Sequence, residues 1–234
     1  MTTSSTSVAM TTSPVSSADQ LVQRVADNLA AVRARIAATG RDPATVRIVA
    51  VTKTFDADAV RAARANGLSD VGENYVDELC AKRDACADLD LTWHYLGALQ
   101  TNKLAKVVAC ANVIASVSRP KELERIARLE ASRRLYVQVD YTGSPERNGV
   151  PAAEAAALVE RGRALHLNVC GLMTVAPNDP EGTRRAFRAL GALADDLGLV
   201  ERSMGMSDDL EVACEYGTSE VRIGRALFGA RATH

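Results

Sequence analysis

An excess of charge of either sign is missing from this chain. Its 28 Lys and Arg nearly balance 29 Asp and Glu, for a net charge of −1. It therefore carries no basic footprint for a nucleic-acid backbone and no polybasic patch for a membrane surface. No apolar run approaches the ~20 residues of a membrane span. The opening stretch, MTTSSTSVAMTTSPVSSAD, lacks both a basic leader and an apolar core segment, which argues against a secretory signal. Its Ser and Thr content predicts a disordered tail over residues 1–18. Cys80, Cys86, Cys110, Cys170 and Cys214 form no CxxC pair, and they are expected to be reduced, small apolar residues of a cytoplasmic protein. No His/Cys/Asp/Glu cluster has metal-ligand spacing, so no metal is expected. Neither a GxGxxG after the first strand nor a GxSxG is present, which weakens the dinucleotide-binding and serine-hydrolase alternatives.

What is there is ordinary globular material, 47% hydrophobic and 24% charged, long enough at 234 residues for one large domain, expected over 19–234. Leu21–Ala38 has helical apolar spacing at Leu21, Val22, Val25, Leu29, Val32 and Ile36 and stops at Gly40. Arg47–Thr52 holds a continuous β-branched run, the pattern of a strand buried on both faces. The chain then alternates, with strands predicted at Leu68–Gly72, Trp93–Gly97, Val113–Val117, Leu135–Asp140, Leu167–Met173, Arg202–Met206 and Glu220–Gly224. Helical segments separate them, the last pair by a helix predicted over Ser207–Tyr216. Strict alternation implies parallel strands with right-handed crossovers, and eight repeats favour a closed (β/α)8 barrel.

Ligands in such barrels bind at the carboxyl ends of the strands. Alternation puts Val49, Val51 and Lys53 on one face, with Lys53 at the mouth. There desolvation would lower its pKa and prepare the amine to attack an aldehyde; the alternative is a lysine that snorkels to solvent. Ser203-Met-Gly-Met-Ser207 forms a strand end, a turn and a helix start, where backbone N–H groups and the Ser207 hydroxyl suit an anion. Ser207 as a plain helix cap is the competing account. Asp208 and Asp209 would repel a phosphate and are expected to turn away. Gly224 allows a close backbone approach. Arg222 shares its face and needs an acceptor, either a ligand atom or an acid such as Glu220 or Glu73. His94 is either a cofactor contact or a satisfied core histidine.

Seven segments in order, from Val51-Thr-Lys53 and Gly72-Glu-Asn-Tyr75 through Trp93-His-Tyr-Leu-Gly97, Gln100-Thr-Asn-Lys103 and Gly171-Leu-Met173 to Ser203-Met-Gly-Met-Ser-Asp-Asp209 and Val221-Arg-Ile-Gly-Arg-Ala-Leu-Phe-Gly229, closely resemble the pyridoxal phosphate homeostasis proteins. That family is similar in fold to the barrel domain of alanine racemase. The resemblance implies pyridoxal 5'-phosphate held as an aldimine on Lys53, and a phosphate cradle at Ser207 and Gly224 with Ser203 and Met206 lining the turn. It implies Arg222 facing the pyridine nitrogen and Asn74 beside the ring. Arg225 stands where many relatives carry Ser or Thr; its backbone N–H can still meet phosphate, and its cation can replace the hydroxyl. Arg147 stands near a position where relatives often have lysine, but a guanidinium cannot form an aldimine.

The implied role is to hold the cofactor and hand it over. PLP-dependent apo-enzymes are the expected recipients, with no nucleic-acid or membrane partner and a monomeric state. A racemase is the enzyme alternative, and it needs an acid/base group on each face of the α-carbon. Lys53 supplies one, and the tyrosine that alanine racemase brings from a second domain is not expected here. A charged Arg222 would also weaken the ring as an electron sink, so little or no catalysis is expected. A cofactor-independent lysine aldolase is a third alternative.

Overall fold

The computed structural model describes residues 16–130, 132–144 and 146–230. Helix α1, Ser17–Ala38, opens with the Ser16 hydroxyl accepting from the Asp19 N–H, and it buries Val25, Leu29, Val32 and Ile36. The helix thus begins four residues before the apolar period does, because a cap and an acidic first turn start a helix without apolar residues. Of the tail expected over 1–18, residues 1–15 lie outside the described residues, while Ser17 and Ala18 already belong to α1.

Eight parallel strands close into a barrel: β1 Arg47–Val51, β2 Asp70–Glu73, β3 Thr92–Tyr95, β4 Val113–Val117, β5 Arg134–Asp140, β7 Asn168–Met173, β8 Glu201–Ser203 and β9 Glu220–Ile223. β1 pairs with both β2 and β9, and the β4–β5 pairing completes the ring. A two-residue strand, β6 Val150–Pro151, pairs with β5 outside the ring; the alternation pattern gave no sign of it. The crossover helices are α2 Ala57–Ala65, α3 Val76–Ala85, α4 Leu104–Cys110, α5 Pro120–Arg128, α6 Ala152–Ala164, α7 Pro180–Asp196 and α8 Leu210–Glu215, with α9 Arg225–Phe228 after the last strand. Ile48, Ala50, Val71, Trp93, Ile114, Leu135, Leu172 and Val221 pack outward into the layer shared with the helices.

Inside the ring the lower end is charged. Arg47, Asp70, Arg134, Glu201 and Glu220 each open a strand, and Arg47 reaches Glu201 at 3.0 Å and Glu220 at 3.2 Å. Arg134 meets Glu201 at 2.9 Å, and Tyr136 donates to the same carboxylates. This ion-paired layer plugs the barrel floor and leaves the opposite mouth for ligands.

Two expectations need correction. The helix predicted from Ser207 begins at Leu210, because the Asp209 carboxylate accepts the Met206 N–H and holds 206–209 as a turn. Gly205 permits that turn with a φ of +103°. The cysteines are not all thiols: Cys80 and Cys110 form a disulfide between α3 and α4, with Cα atoms 5.5 Å apart. A spacing of 30 residues hides the pair in the sequence, and helix packing brings it within bonding reach. Cys86, Cys170 and Cys214 are free.

Candidate functional site

A cavity of about 650 Å³ opens at the carboxyl ends of the strands, within the ~300–1,000 Å³ usual for small-molecule sites. Lys53, Asn74, Met206, Ser207, Arg222, Gly224 and Arg225 all line it. Its apolar walls are Val51, which alternation set on the same face as Lys53, and Leu96, Met173 and Val175, which were not given a site role because apolar strand ends look like any core residue. Phe55 adds a further wall and stacks at a tilt on Phe228, ring centroids 5.4 Å apart.

On one side the cavity is polar. The Ser207 hydroxyl accepts from the Ala226 N–H at 3.2 Å, which ties the turn after β8 to α9. Arg35 of α1 donates to the Ser207 carbonyl at 2.9 Å and pairs with Glu211, fixing the turn from behind. A Cβ at Gly224 would stand 3.2 Å from the Val51 carbonyl oxygen and narrow the same corner. Arg225 pairs with Asp208, and Asp208 lines the cavity instead of turning away. Asp209 does turn inward to its own backbone.

Arg222 forms part of the floor and is 5% exposed. It donates to the Ser203 carbonyl, the Ser203 hydroxyl and the Thr174 carbonyl, each at 2.8 Å. Burial lowers its pKa from the ordinary guanidinium value, yet an arginine so bonded keeps its proton. Ser203 in turn donates to Glu220 at 2.6 Å. So Ser203 does not line the cavity; it holds Arg222 from below and relays it to the buried acid.

His94 is also separated from the cavity. It points into the barrel one layer lower, where Nε2 bonds Asp70 at 2.9 Å, and it is fully buried. Of the sequence-selected set, the structure brings together Lys53, Asn74, Met206, Ser207, Arg222, Gly224 and Arg225 and leaves His94 and Ser203 beneath them. Arg147 lies away from the cavity, donating to Asn178.

Behind Lys53 is a buried polar cluster. Lys82 of α3 donates to the Thr52 carbonyl and to Glu73, each at 2.8 Å, and to Glu78 at 3.0 Å. Burial raises the Glu73 pKa, and the bonds from Lys82 and Thr52 oppose that shift without cancelling it. Burial also opposes ionisation of Glu78, but the Thr54 N–H and Lys82 outweigh it and hold the group below its ordinary value. The one sequence trace of this cluster is the Glu78/Lys82 spacing of four on a helix.

The family model described as "Alanine racemase, N-terminal domain" matches residues 22–232. A protein of Pseudomonas aeruginosa named "Pyridoxal phosphate homeostasis protein" is 41% identical over 220 residues, covering 88% of this chain and 96% of its own. The chain belongs to the pyridoxal phosphate homeostasis protein family. Among solved structures, PipY from Synechococcus elongatus with PLP bound aligns at a TM-score of 0.76 and 33% identity, covering 88% of this chain and 100% of that one. Alanine racemase from Corynebacterium glutamicum aligns at 0.69 and 20% identity over 91% of this chain and 62% of its own, a likeness of fold alone. The pyridoxal phosphate homeostasis family and the racemase thus share the barrel.

Proposed function

We propose that this chain binds pyridoxal 5'-phosphate at the barrel mouth, linked to Lys53, and serves vitamin B6 homeostasis by holding the cofactor and passing it to PLP-dependent apo-enzymes. The supporting observation is the convergence of an amine, an anion-binding corner and a guanidinium on one cavity with apolar walls. The residues fit the group. Ser207, Arg225 and the glycine corner at Gly224 suit a phosphate; Val51, Leu96 and Met173 suit a flat ring; Arg222 suits a ring nitrogen acceptor; Asn74 lies on the rim. Lys53 would supply the amine that holds the group through its aldehyde, with one water released.

Bound pyridoxal phosphate supplies a reactive aldehyde and an electron-withdrawing ring. The protein limits the second property. Arg222 is locked by three acceptors and stays charged, so it would donate to a ring nitrogen without handing over a proton. That arrangement favours storage over α-carbon chemistry. Among the described residues no helix is long and apolar enough to cross a membrane, and a cytoplasmic monomer is part of the proposal.

The test is reductive trapping. Borohydride should fix pyridoxal phosphate to the peptide carrying Lys53, and Lys53→Ala should abolish the label while circular dichroism stays unchanged. A label on Lys103, or none, refutes the assignment.

A further inference from the structure

The peptide groups on both sides of Lys53 are held by one small cluster of side chains. Thr52 leaves β1 with its carbonyl accepting from Lys82 Nζ at 2.8 Å and from the Phe55 N–H at 3.1 Å. Its hydroxyl donates to Glu73 at 2.6 Å. One residue beyond Lys53, the Thr54 N–H donates to Glu78 at 2.9 Å. Thr54 has a φ of +68°, a left-handed conformation that a β-branched residue adopts only when its surroundings impose it. Lys82 closes the ring, because the ammonium that bonds Thr52 also bonds Glu73 and Glu78. All three of its donors are used, and the residue is 7% exposed.

A buried ion pair is a poor device for stability alone, since apolar residues of similar volume often do as well. What this cluster accomplishes is geometric. The backbone turns away from the barrel immediately after Lys53, and a flexible four-carbon side chain is aimed only as well as the peptide that carries it. We propose that Lys82 and Glu78 are positioning residues for Lys53, fixing the carbonyl before it and the amide after it so that Nζ meets the cofactor's aldehyde carbon. They act through Thr52 and Thr54 and touch no ligand. This rests on the assignment of Lys53 as the attachment point.

Two variants test it. Lys82→Met removes the central donor. Glu78→Ala removes the Thr54 acceptor together with one of the three partners of Lys82. At a partly exposed position it is the milder change, and it leaves Glu73 and the Thr52 carbonyl bonded to Lys82. Amide exchange is followed over residues 51–56 in cofactor-free protein, and borohydride fixation on Lys53 is followed at equal cofactor occupancy. Exchange at Thr54 should rise about tenfold, the loss of one hydrogen bond, while amides of β5 stay protected. Fixation on Lys53 should fall severalfold, and Glu78→Gln, which keeps a carbonyl acceptor, should restore both. Unchanged exchange at Thr54 overturns the proposal, as does faster exchange with undiminished fixation. A rise spread over the whole sheet also overturns it, by reducing the cluster to ordinary stability. Failure of the unaltered protein to label Lys53 would instead strike the cofactor assignment, and the exchange arm would still report whether the pair pins this turn.

Discussion

Arg222 bonds Ser203 twice, through the carbonyl and through the hydroxyl, both at 2.8 Å. The same hydroxyl donates a hydrogen bond to Glu220 at 2.6 Å. A cation at the cavity floor and a fully buried acid in the layer below are thus joined by one oxygen. Ser203→Ala should leave both partners short of a bond and lower stability by about 1–3 kcal/mol, read from urea unfolding at constant m-value. A change under a few tenths would mean that water replaces the hydroxyl.

Ser207→Ala tests the phosphate corner. A hydroxyl that accepts from Ala226 still has its own proton to donate. Loss of a charge-assisted bond costs about 1.5–3 kcal/mol, so cofactor binding should weaken roughly tenfold to a hundredfold. Equilibrium titration of the visible band measures it. Unchanged affinity would place the phosphate elsewhere.

The charged barrel floor predicts a pH dependence. Burial works against ionised Glu201 and Asp70, but Arg47 and Ser219 for the first and His94 for the second hold each below its ordinary pKa. A carboxyl whose folded-state pKa lies below its unfolded one stabilises the protein above about pH 4. That contribution is lost as pH falls through the lower folded-state value. Arg47→Met should cost about 3–5 kcal/mol at pH 7 by taking away the cation that bonds Glu201 and the buried Glu220 and that holds the Glu201 pKa down. The deficit should shrink below about pH 4. A deficit that stays constant from pH 7 to pH 3 would contradict the ion-pair account.

Reduction of Cys80–Cys110 should raise the titratable thiols of unfolded protein from three to five. It should also cost roughly 2–4 kcal/mol, the usual contribution of a bridge closing a loop of this length. In a reducing cytosol the pair would stand as thiols and the staple between α3 and α4 would be lost. Five thiols without reductant would show that the bridge does not form in solution.

Catalysis should be weak. With Arg222 locked and charged at the floor, solvent deuterium should enter the α-position of L-alanine far more slowly than the usual ~1–1,000 turnovers per second. Exchange in that range, abolished by Lys53→Ala, would make this an enzyme.

Period and punctuation in the sequence determined the barrel. Short strand-forming segments alternate with helical ones along the chain, and that alternation dictates parallel pairing. Lys53, Ser207, Arg222 and Gly224 could be picked out as cavity candidates because strand ends are where barrel ligands bind, and all four line the cavity. Depth along a strand was not legible. His94 and Leu96 lie on the same inward face, two residues apart, yet one joins the ionic floor and the other walls the cavity. Only the stagger of neighbouring strands decides which layer an inward residue enters. Bonds between distant segments were equally hidden. Cys80 with Cys110, Arg35 with Ser207, and Lys82 with Thr52 are separated by 30, 172 and 30 residues. Each pairing exists because helices packed on a closed sheet meet neighbours that no local pattern encodes.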